Sequence, residues 1–158
     1  MMQIGNILRQ KNKTGALVRL TNIAIALSEF NSEISEGLLS GCNRALLDKG
    51  VNDGSISVLR VPGAFELPAA AAKLAKHEDI DGVVALGAVI KGETDHYHYI
   101  SQAVTNGLMQ VTLHSIVPVM FGVLTCPTVE LAIARSEPHS RNNKGYEVGI
   151  ATMEMLSQ

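Results

Sequence analysis

The sequence has few aromatic residues and few cysteines. Tryptophan is absent and aromatic residues make up only 4% of the 158 residues, so the core must consist mainly of aliphatic side chains. Such a core is typical of buried parallel strands covered by alanine-rich helices. The two cysteines, Cys42 and Cys126, lie far apart and form no CxxC pair, which argues against a zinc site or a redox site.

The sequence also lacks a concentration of charge and a long apolar run. The formal net charge is -2 and no block of like charges occurs, so we expect neither a nucleic acid nor an anionic membrane as partner. No stretch approaches roughly 18 uninterrupted apolar residues, which argues against a membrane span. Residues 1–20 contain no apolar run of signal-peptide length, and the sequence therefore predicts a cytoplasmic protein.

The length and the order of apolar segments predict one α/β domain. Residues 1–21 show no clear period and are interpreted as an N-terminal arm, whereas residues 22–158 are interpreted as a single domain. Helical patterns alternate with strand-like runs, the strands at 22–27, 55–61, 82–90 and 117–124 and the helices at 31–50, 66–76, 95–114, 128–136 and 144–156. This alternation predicts a three-layer sandwich, in which a parallel four-stranded sheet is flanked by helices in a flavodoxin-like arrangement.

Aromatic and acidic residues follow the first two predicted strands. Ligands of parallel α/β sheets bind beyond the carboxyl ends of the strands, and Phe30 and Phe65 both occur there. Either aromatic ring can stack on a planar heterocycle, or it can simply pack within its loop. Glu66 can hydrogen-bond a polyol, although an acid at this place also suits the dipole of the helix that begins there.

The segment after the third strand combines a glycine turn with a histidine. Gly92-Glu93-Thr94 stands at a helix start, where free backbone N–H groups can bind phosphate, although an ordinary capped turn has the same sequence. Glu93 occupies the place of the P-loop lysine, which excludes a nucleotide polyphosphate site. His96 can transfer protons near neutral pH or be a surface histidine. His98 cannot share its helix face, so the two histidines are a poor metal pair.

Three late cations, Arg135, Arg141 and Lys144, lie in or beside a polar loop. A guanidinium or ammonium group there can bind a phosphate. The alternative is that all three are solvated surface charges.

Several long motifs resemble the lumazine synthase family from about residue 22 to the end of the chain. They are, in order, the short pair Phe30-Asn31, then VPGAFELP at 61–68, LGAVIKGETDHY at 86–97, PVMFGVLT at 118–125 and NKG at 143–145. The resemblance implies the family's parallel four-stranded sheet and its reaction in riboflavin biosynthesis. In that reaction 5-amino-6-(D-ribitylamino)uracil condenses with 3,4-dihydroxy-2-butanone 4-phosphate, giving 6,7-dimethyl-8-(D-ribityl)lumazine, phosphate and water. No metal and no organic cofactor are implied.

The resemblance also implies which residues of one subunit meet the substrates. His96 is implied as the main proton-transfer residue, and Phe30 is implied to stack on the pyrimidine ring. The other implied contacts are to the ribityl chain (Gly63, Ala64 and Glu66), to the ring pocket (Val89, Ile90 and Lys91) and to the phosphate (Glu93 and Thr94).

A neighbouring subunit is implied to complete the site. By resemblance, Phe121 of that neighbour covers the ring, Arg135 binds the phosphate and Lys144 reaches the polar edge of the ring. The family assembles as pentamers or as multiples of pentamers, and a closed ring with heterologous contacts explains such shared sites. Because the loop before Asn143 is one residue longer than is usual in the family, Arg141 stays an alternative to Arg135 at the phosphate.

Two other kinds of protein can use this scaffold. A non-catalytic protein that binds flavin or lumazine, or that only forms a shell, would keep the aromatic pocket but lose the phosphate site and His96. A receiver domain would need paired aspartates after the first strand, where Ser28-Glu29-Phe30 stands. The sequence therefore predicts the enzyme first, with the non-catalytic binding or shell protein as the alternative.

Overall fold

The chain folds into a parallel sheet with helices on both faces. The computed structural model describes residues 9–11 and 17–158, with side chains from residue 20 onward. Its strands are β1 (Arg9–Lys11), β2 (Leu17–Arg19), β3 (Ile23–Ser28), β4 (Ile56–Val61), β5 (Gly82–Ile90) and β6 (Val119–Cys126). Its helices are α1 (Ser32–Asp48), α2 (Leu67–Leu74), α3 (His96–His114), α4 (Val129–Ser136) and α5 (Lys144–Leu156). Short 3-10 turns occupy Asp53–Ser55 and Ala64–Glu66.

The four longer strands form one parallel sheet in the order β4-β3-β5-β6. Ile23 of β3 lies opposite both Ile56 of β4 and Gly82 of β5. The two central strands, β3 and β5, are buried along almost their whole length, as expected of strands covered on both faces. The predicted fold class is confirmed. All four strands end at the same edge of the sheet, which brings the loops after β3, β4, β5 and β6 together.

The two faces of β3 carry side chains of different size. Ile25 and Leu27 pack with Leu38 and Leu46 of α1, whereas Ala24 and Ala26 belong to the core on the α2 and α3 side. Large side chains therefore fill one layer, while small ones let the alanine-rich α2 approach the sheet closely. Burial of these aliphatic side chains stabilises the fold by roughly 25 cal/mol per Å² of apolar surface removed from water. The core therefore depends on aliphatic side chains, since the composition supplies few aromatic ones.

Several element boundaries differ from the sequence prediction by one or two residues, and two of these differences have a clear local cause. The last strand begins at Val119 and not at Val117, because Pro118 has no N–H to donate and the chain turns before it, with Val117 N–H bonded to Ser115 Oγ at 3.2 Å. The second helix starts with a 3-10 turn, and its regular part ends at Leu74. Neither difference moves the loops at the carboxyl edge of the sheet.

The N-terminal region contributes two short strands. β1 and β2 pair antiparallel, with Gln10 opposite Val18, where the sequence predicted only an arm without elements. Residues 1–8 and 12–16 of that predicted arm lie outside the described residues, and the division at residue 21 stays a prediction. Among the helices of the described part, none is long and apolar enough to cross a membrane.

Burial of Cys42 in α1 should make the stability of the protein depend on pH. Its side chain is inaccessible, and burial raises the pKa of its thiol from the ordinary 9.0 to about 12. The unfolded chain therefore loses this proton at lower pH than the folded chain does, so stability is full below about pH 8.5 and falls above it, by up to about 1.4 kcal/mol per pH unit. We expect urea unfolding to show this loss between about pH 9 and pH 10.5. Cys42→Ala should show a shallower loss, and an equal slope in both proteins would contradict the assignment.

Candidate active site

A cavity of about 390 Å³ opens at the carboxyl edge of the sheet. It lies between the start of α3 and the chain that follows β3, β4 and β5. The cavity is lined by Phe30, Asn31, Gly63, Ala64, Phe65, Glu66, Ala88, Val89, Ile90, Gly92, Thr94, His96, Tyr97 and Ile100. Most of the residues that the sequence analysis assigned to one subunit's half of the site are thus brought together, as the parallel sheet requires.

Two phenylalanine rings stand at this cavity with most of their surface uncovered. Phe30 is 72% exposed and Phe65 is 60% exposed. The backbone N–H of Phe30 donates to the carbonyl of Pro62 at 3.0 Å, so the chain after β3 stays joined to the end of β4. Large apolar side chains exposed beside a cavity mark a binding surface, and these rings are available to stack on a planar ligand.

Asn31 has an unusual backbone that joins two elements of the site. Its φ of 62° makes it the one non-glycine residue with positive φ in the described part of the chain, a conformation that asparagine tolerates better than most residues. An asparagine directly before a helix commonly caps it with its side chain, but the Asn31 side chain makes no such bond to α1. Its carbonyl accepts from Ile34 and Ser35, whereas its Nδ2 donates to Ala88 O of β5 at 3.1 Å.

Glu66 lies at the side of the cavity formed by the loop after β4. One carboxylate oxygen, Oε2, accepts from the backbone N–H of Gly63 at 3.0 Å. This bond holds the side chain over the 3-10 turn that precedes α2. The arrangement orients a carboxylate at the cavity, where its second oxygen can accept a hydrogen bond from a ligand hydroxyl.

The start of α3 provides a site for an anion. The helix is 19 residues long; the N–H of His98 donates to Asp95 O at 3.0 Å, and the N–H groups before it have no partner within the helix. Thr94 Oγ1 accepts from the N–H of His96 at 3.4 Å, and a Cβ on Gly92 would meet no atom within 4 Å. Free N–H groups, a hydroxyl and the positive end of the helix dipole together favour a phosphate. His96 is exposed beside them.

Two predicted residues of the same loop do not line this cavity. Lys91 and Glu93 are both exposed, and neither is among the residues that surround it. The backbone of Lys91 is joined to the last residue of β6 through its N–H, which donates to Cys126 O at 3.0 Å. Their places in the loop agree with the prediction, but the structure alone gives their side chains no role.

Phe121, Arg135 and Lys144 line a different cavity, of about 620 Å³, on the edge strand β6 and helices α4 and α5. Phe121 is 43% exposed, and Lys144 is paired with Glu147 at 2.7 Å. Arg141 is exposed and does not line this cavity. The three residues that were predicted to act from a neighbouring subunit therefore share one surface, separate from the first cavity.

Cys126 also lines this second cavity. Burial raises the pKa of its thiol, while the positive charge of Arg135 lowers it by a smaller amount. The thiol is therefore protonated at neutral pH, and it contributes an apolar surface beside Arg135.

Among the residues of the first cavity that the sequence analysis missed are two on α3, Tyr97 and Ile100. Both stand on α3 and pack against the core on the α2 side. Their signal was the helical spacing of residues 97, 100, 104 and 108, which marks the inward face of α3. Within residues 9–11 and 17–158, no group of three or more His, Cys, Asp or Glu side chains is arranged to hold a metal ion.

Comparison with known proteins agrees with this geometry. The family model for 6,7-dimethyl-8-ribityllumazine synthase matches residues 21–158, a range that includes both cavities. A 6,7-dimethyl-8-ribityllumazine synthase of Leuconostoc mesenteroides subsp. mesenteroides is 43% identical over 143 residues, which cover 89% of this chain and 91% of the relative. These matches support the catalytic interpretation and give no support to the non-catalytic alternative. The chain therefore belongs to the 6,7-dimethyl-8-ribityllumazine synthase family.

Proposed function

We propose that the cavity at the carboxyl edge of the sheet is the active site of this riboflavin-biosynthesis enzyme. There, 5-amino-6-(D-ribitylamino)uracil condenses with 3,4-dihydroxy-2-butanone 4-phosphate to form 6,7-dimethyl-8-(D-ribityl)lumazine. One observation carries the proposal, namely that the exposed ring of Phe30, the oriented carboxylate of Glu66 and the start of α3 border one cavity. Substrates with a flat ring, a polyol chain and a phosphate need these three kinds of group.

The uracil substrate is proposed to bind between the loops after β3 and β4. Its ring stacks on Phe30, above the apolar ends of β5 formed by Val89 and Ile90. Its ribityl hydroxyls extend along Gly63 and Ala64 and donate to the oxygen of Glu66 that the Gly63 N–H leaves available. The apolar residues favour the flat ring and the polar loop favours the hydroxylated chain, so together they fix the orientation of the uracil substrate in the cavity.

The phosphate substrate is proposed to bind at the start of α3. Thr94 supplies its hydroxyl, and the N–H groups of the first turn donate to the phosphate oxygens. Glu93 contributes its backbone N–H, because its carboxylate would repel the phosphate. Lys91 follows Val89 and Ile90 directly and is proposed to contact the ring pocket beside them.

His96 is proposed to carry the protons of the reaction. Formation of an imine between the amine and the ketone releases one water, loss of phosphate follows, and closure of the ring on the remaining carbonyl releases a second water, so each step moves protons. His96 is the first residue of α3, and its own backbone N–H donates to Thr94 Oγ1. Its imidazole can therefore donate and accept protons at the reacting atoms next to the phosphate. Binding of both substrates in one cavity keeps the amine and the ketone aligned for reaction.

A neighbouring copy is proposed to complete the site. The rings of Phe30 and Phe65 are largely uncovered in one subunit, whereas Phe121, Arg135 and Lys144 form a surface that is not used by the same subunit's cavity. Contact of the second surface with the first cavity on the next copy is heterologous, and such a contact closes into a ring when the rotation between copies is a whole fraction of a turn. We propose a pentamer or a multiple of pentamers, in the cytoplasm.

The experiment that tests this function mixes the purified protein with both substrates. Formation of the lumazine is followed by its absorbance and fluorescence, and native mass spectrometry measures the assembly in the same sample. We expect the lumazine to form much faster with the protein than without it. A rate equal to that background, with the protein folded and assembled, would disprove the proposed activity.

Arg135→Ala is expected to weaken binding of the phosphate substrate. Loss of a charge-assisted hydrogen bond of about 1.5–3 kcal/mol corresponds to a roughly 10- to 150-fold higher KM for the butanone phosphate. Steady-state kinetics at saturating uracil substrate measure this effect. Arg141→Ala is the matched variant, and we expect its KM to stay within about twofold. The opposite result would give the phosphate contact to Arg141.

A further inference from the structure

Asn143 is the most completely enclosed amide of the described residues near the second cavity. Its side chain is 0% exposed. Its Nδ2 lies 3.0 Å from each of the carbonyl oxygens of Gly37, Ser136 and Glu137, so its two hydrogens are shared among three acceptors, and its Oδ1 accepts from the N–H of Tyr146 at 3.0 Å. One side chain therefore joins α1, the end of α4 and the start of α5.

The residues that Asn143 joins are the neighbours of the two cations on the second cavity. Ser136 directly follows Arg135, and Lys144 directly follows Asn143 itself. The chain between these ends, residues 137–142, is exposed apart from Ser140, which is partly covered. The buried amide of Asn143, more than the exposed loop, therefore sets the distance from the end of α4 to the start of α5.

Helix α1 is shaped to receive this amide. A Cβ on Gly41 would overlap the Asn143 side chain, and a Cβ on Gly37 would overlap the carbonyl of Ser136. Both positions need glycine because α4 and the amide approach α1 so closely. The ends of α4 and α5 are therefore held against a rigid, fully packed surface.

We propose that Asn143 is a positioning residue, which fixes the separation of Arg135 and Lys144 so that both reach the substrates on the adjacent copy. The inference rests on the proposed function, in which these two cations complete a neighbour's site. A guanidinium that binds a phosphate oxygen has a narrow geometric tolerance, and a displacement of about 1 Å can cost a large factor in rate or binding. An exposed loop alone would not hold that tolerance.

The first test is kinetic. Asn143→Ala should raise the KM for the butanone phosphate about tenfold or more, with a smaller change in kcat, while native mass and circular dichroism show an assembled, folded protein. Asn142→Ala is the matched control, since Asn142 is the adjacent exposed asparagine, and its KM should stay within about twofold. An assembled Asn143→Ala protein with the KM of Asn142→Ala would overturn the proposal.

The second test is complementation between subunits. Asn143→Ala is unfolded and reassembled together with His96→Ala, so that the two defects lie on opposite sides of each shared site. Random mixing leaves about one site in four with both sides intact, so we expect about a quarter of the wild-type activity at low phosphate-substrate concentration. No recovery here, together with recovery when Arg135→Ala replaces Asn143→Ala, would overturn the role of Asn143 while leaving the shared site in place. No recovery in either mixture would instead contradict the proposed shared site.

A variant that keeps one hydrogen bond of the amide distinguishes an effect on the positions of Arg135 and Lys144 from an effect on folding. Asn143→Asp keeps the acceptor that caps α5 but cannot donate to the three carbonyls. If Asn143→Ala does not assemble, Asn143→Asp is put through the same two tests, with the same expected KM and recovery. Failure of both variants to assemble would assign Asn143 to the fold alone and overturn the proposal.

Discussion

Replacing His96 by alanine is expected to lower kcat by about 100-fold, the scale of general acid–base catalysis by one positioned side chain. His96 lies beside the anion site at the start of α3 and lines the same cavity as Phe30. The variant keeps the N–H groups and the Thr94 hydroxyl that are proposed to bind the phosphate, so KM should change little. The remaining rate reflects the proximity of the two bound substrates. Stopped or continuous assays of lumazine formation at saturating substrates measure the effect.

The control for this prediction is His98→Ala. His98 is also exposed and lies two residues along the helix, with its ring edge-on to Tyr97 at 5.2 Å, but it does not line the cavity. We expect its kcat to stay within about twofold of wild type. Added imidazole should restore part of the activity of His96→Ala alone. If kcat of His96→Ala equals that of His98→Ala, the proton-transfer role belongs to another group.

Gly145→Ala is expected to be the most destabilising of the single substitutions considered, at about 3 kcal/mol, the upper part of the usual range for overpacking. A Cβ at this position would overlap the backbone of Leu38, and the obstacle cannot rotate away because it belongs to α1. The two helices would have to move apart, which would expose part of the apolar layer around Leu38 and Val148. Urea unfolding monitored by circular dichroism measures the loss.

The matched variant for Gly145→Ala is Gly92→Ala, scored for stability and not for activity. A Cβ on Gly92 has open space around it, with no atom within 4 Å, so we expect its free energy of unfolding to change by less than about 0.5 kcal/mol. Equal stability of the two variants would show that α1 and α5 can separate without cost, contrary to the close packing around Gly145.

The strand boundaries show how far the sequence pattern reaches. The run from Gly82 to Ile90 was predicted as a buried strand and forms β5 over the same residues, because nine apolar residues leave no alternative to burial on both faces. The last strand was predicted two residues early, since Val117 is as apolar as Val119. Hydrophobic periodicity does not show that Pro118 lacks an N–H, and this lack delays the pairing of β6 with β5.

The meeting of several predicted residues at one cavity also followed from the sequence. Phe30, Glu66, Thr94 and His96 each follow a strand or open a helix, and a parallel sheet brings such positions to one edge. The left-handed backbone of Asn31 was not readable, because an asparagine before a helix equally predicts an ordinary side-chain cap. Its bond to Ala88 depends on how closely β5 lies beside β3.

By itself the sequence determined the order of strands and helices along the chain, and hence the edge of the sheet at which the proposed site lies, because hydrophobic periodicity and β-α alternation are local properties. Its motifs also carried the family. Only the tertiary structure decided that Phe121, Arg135 and Lys144 share a surface apart from the first cavity, and that the amide of Asn143 ties α1, α4 and α5 together. Such contacts join residues up to 106 positions apart, and they exist only once the helices have packed on the sheet.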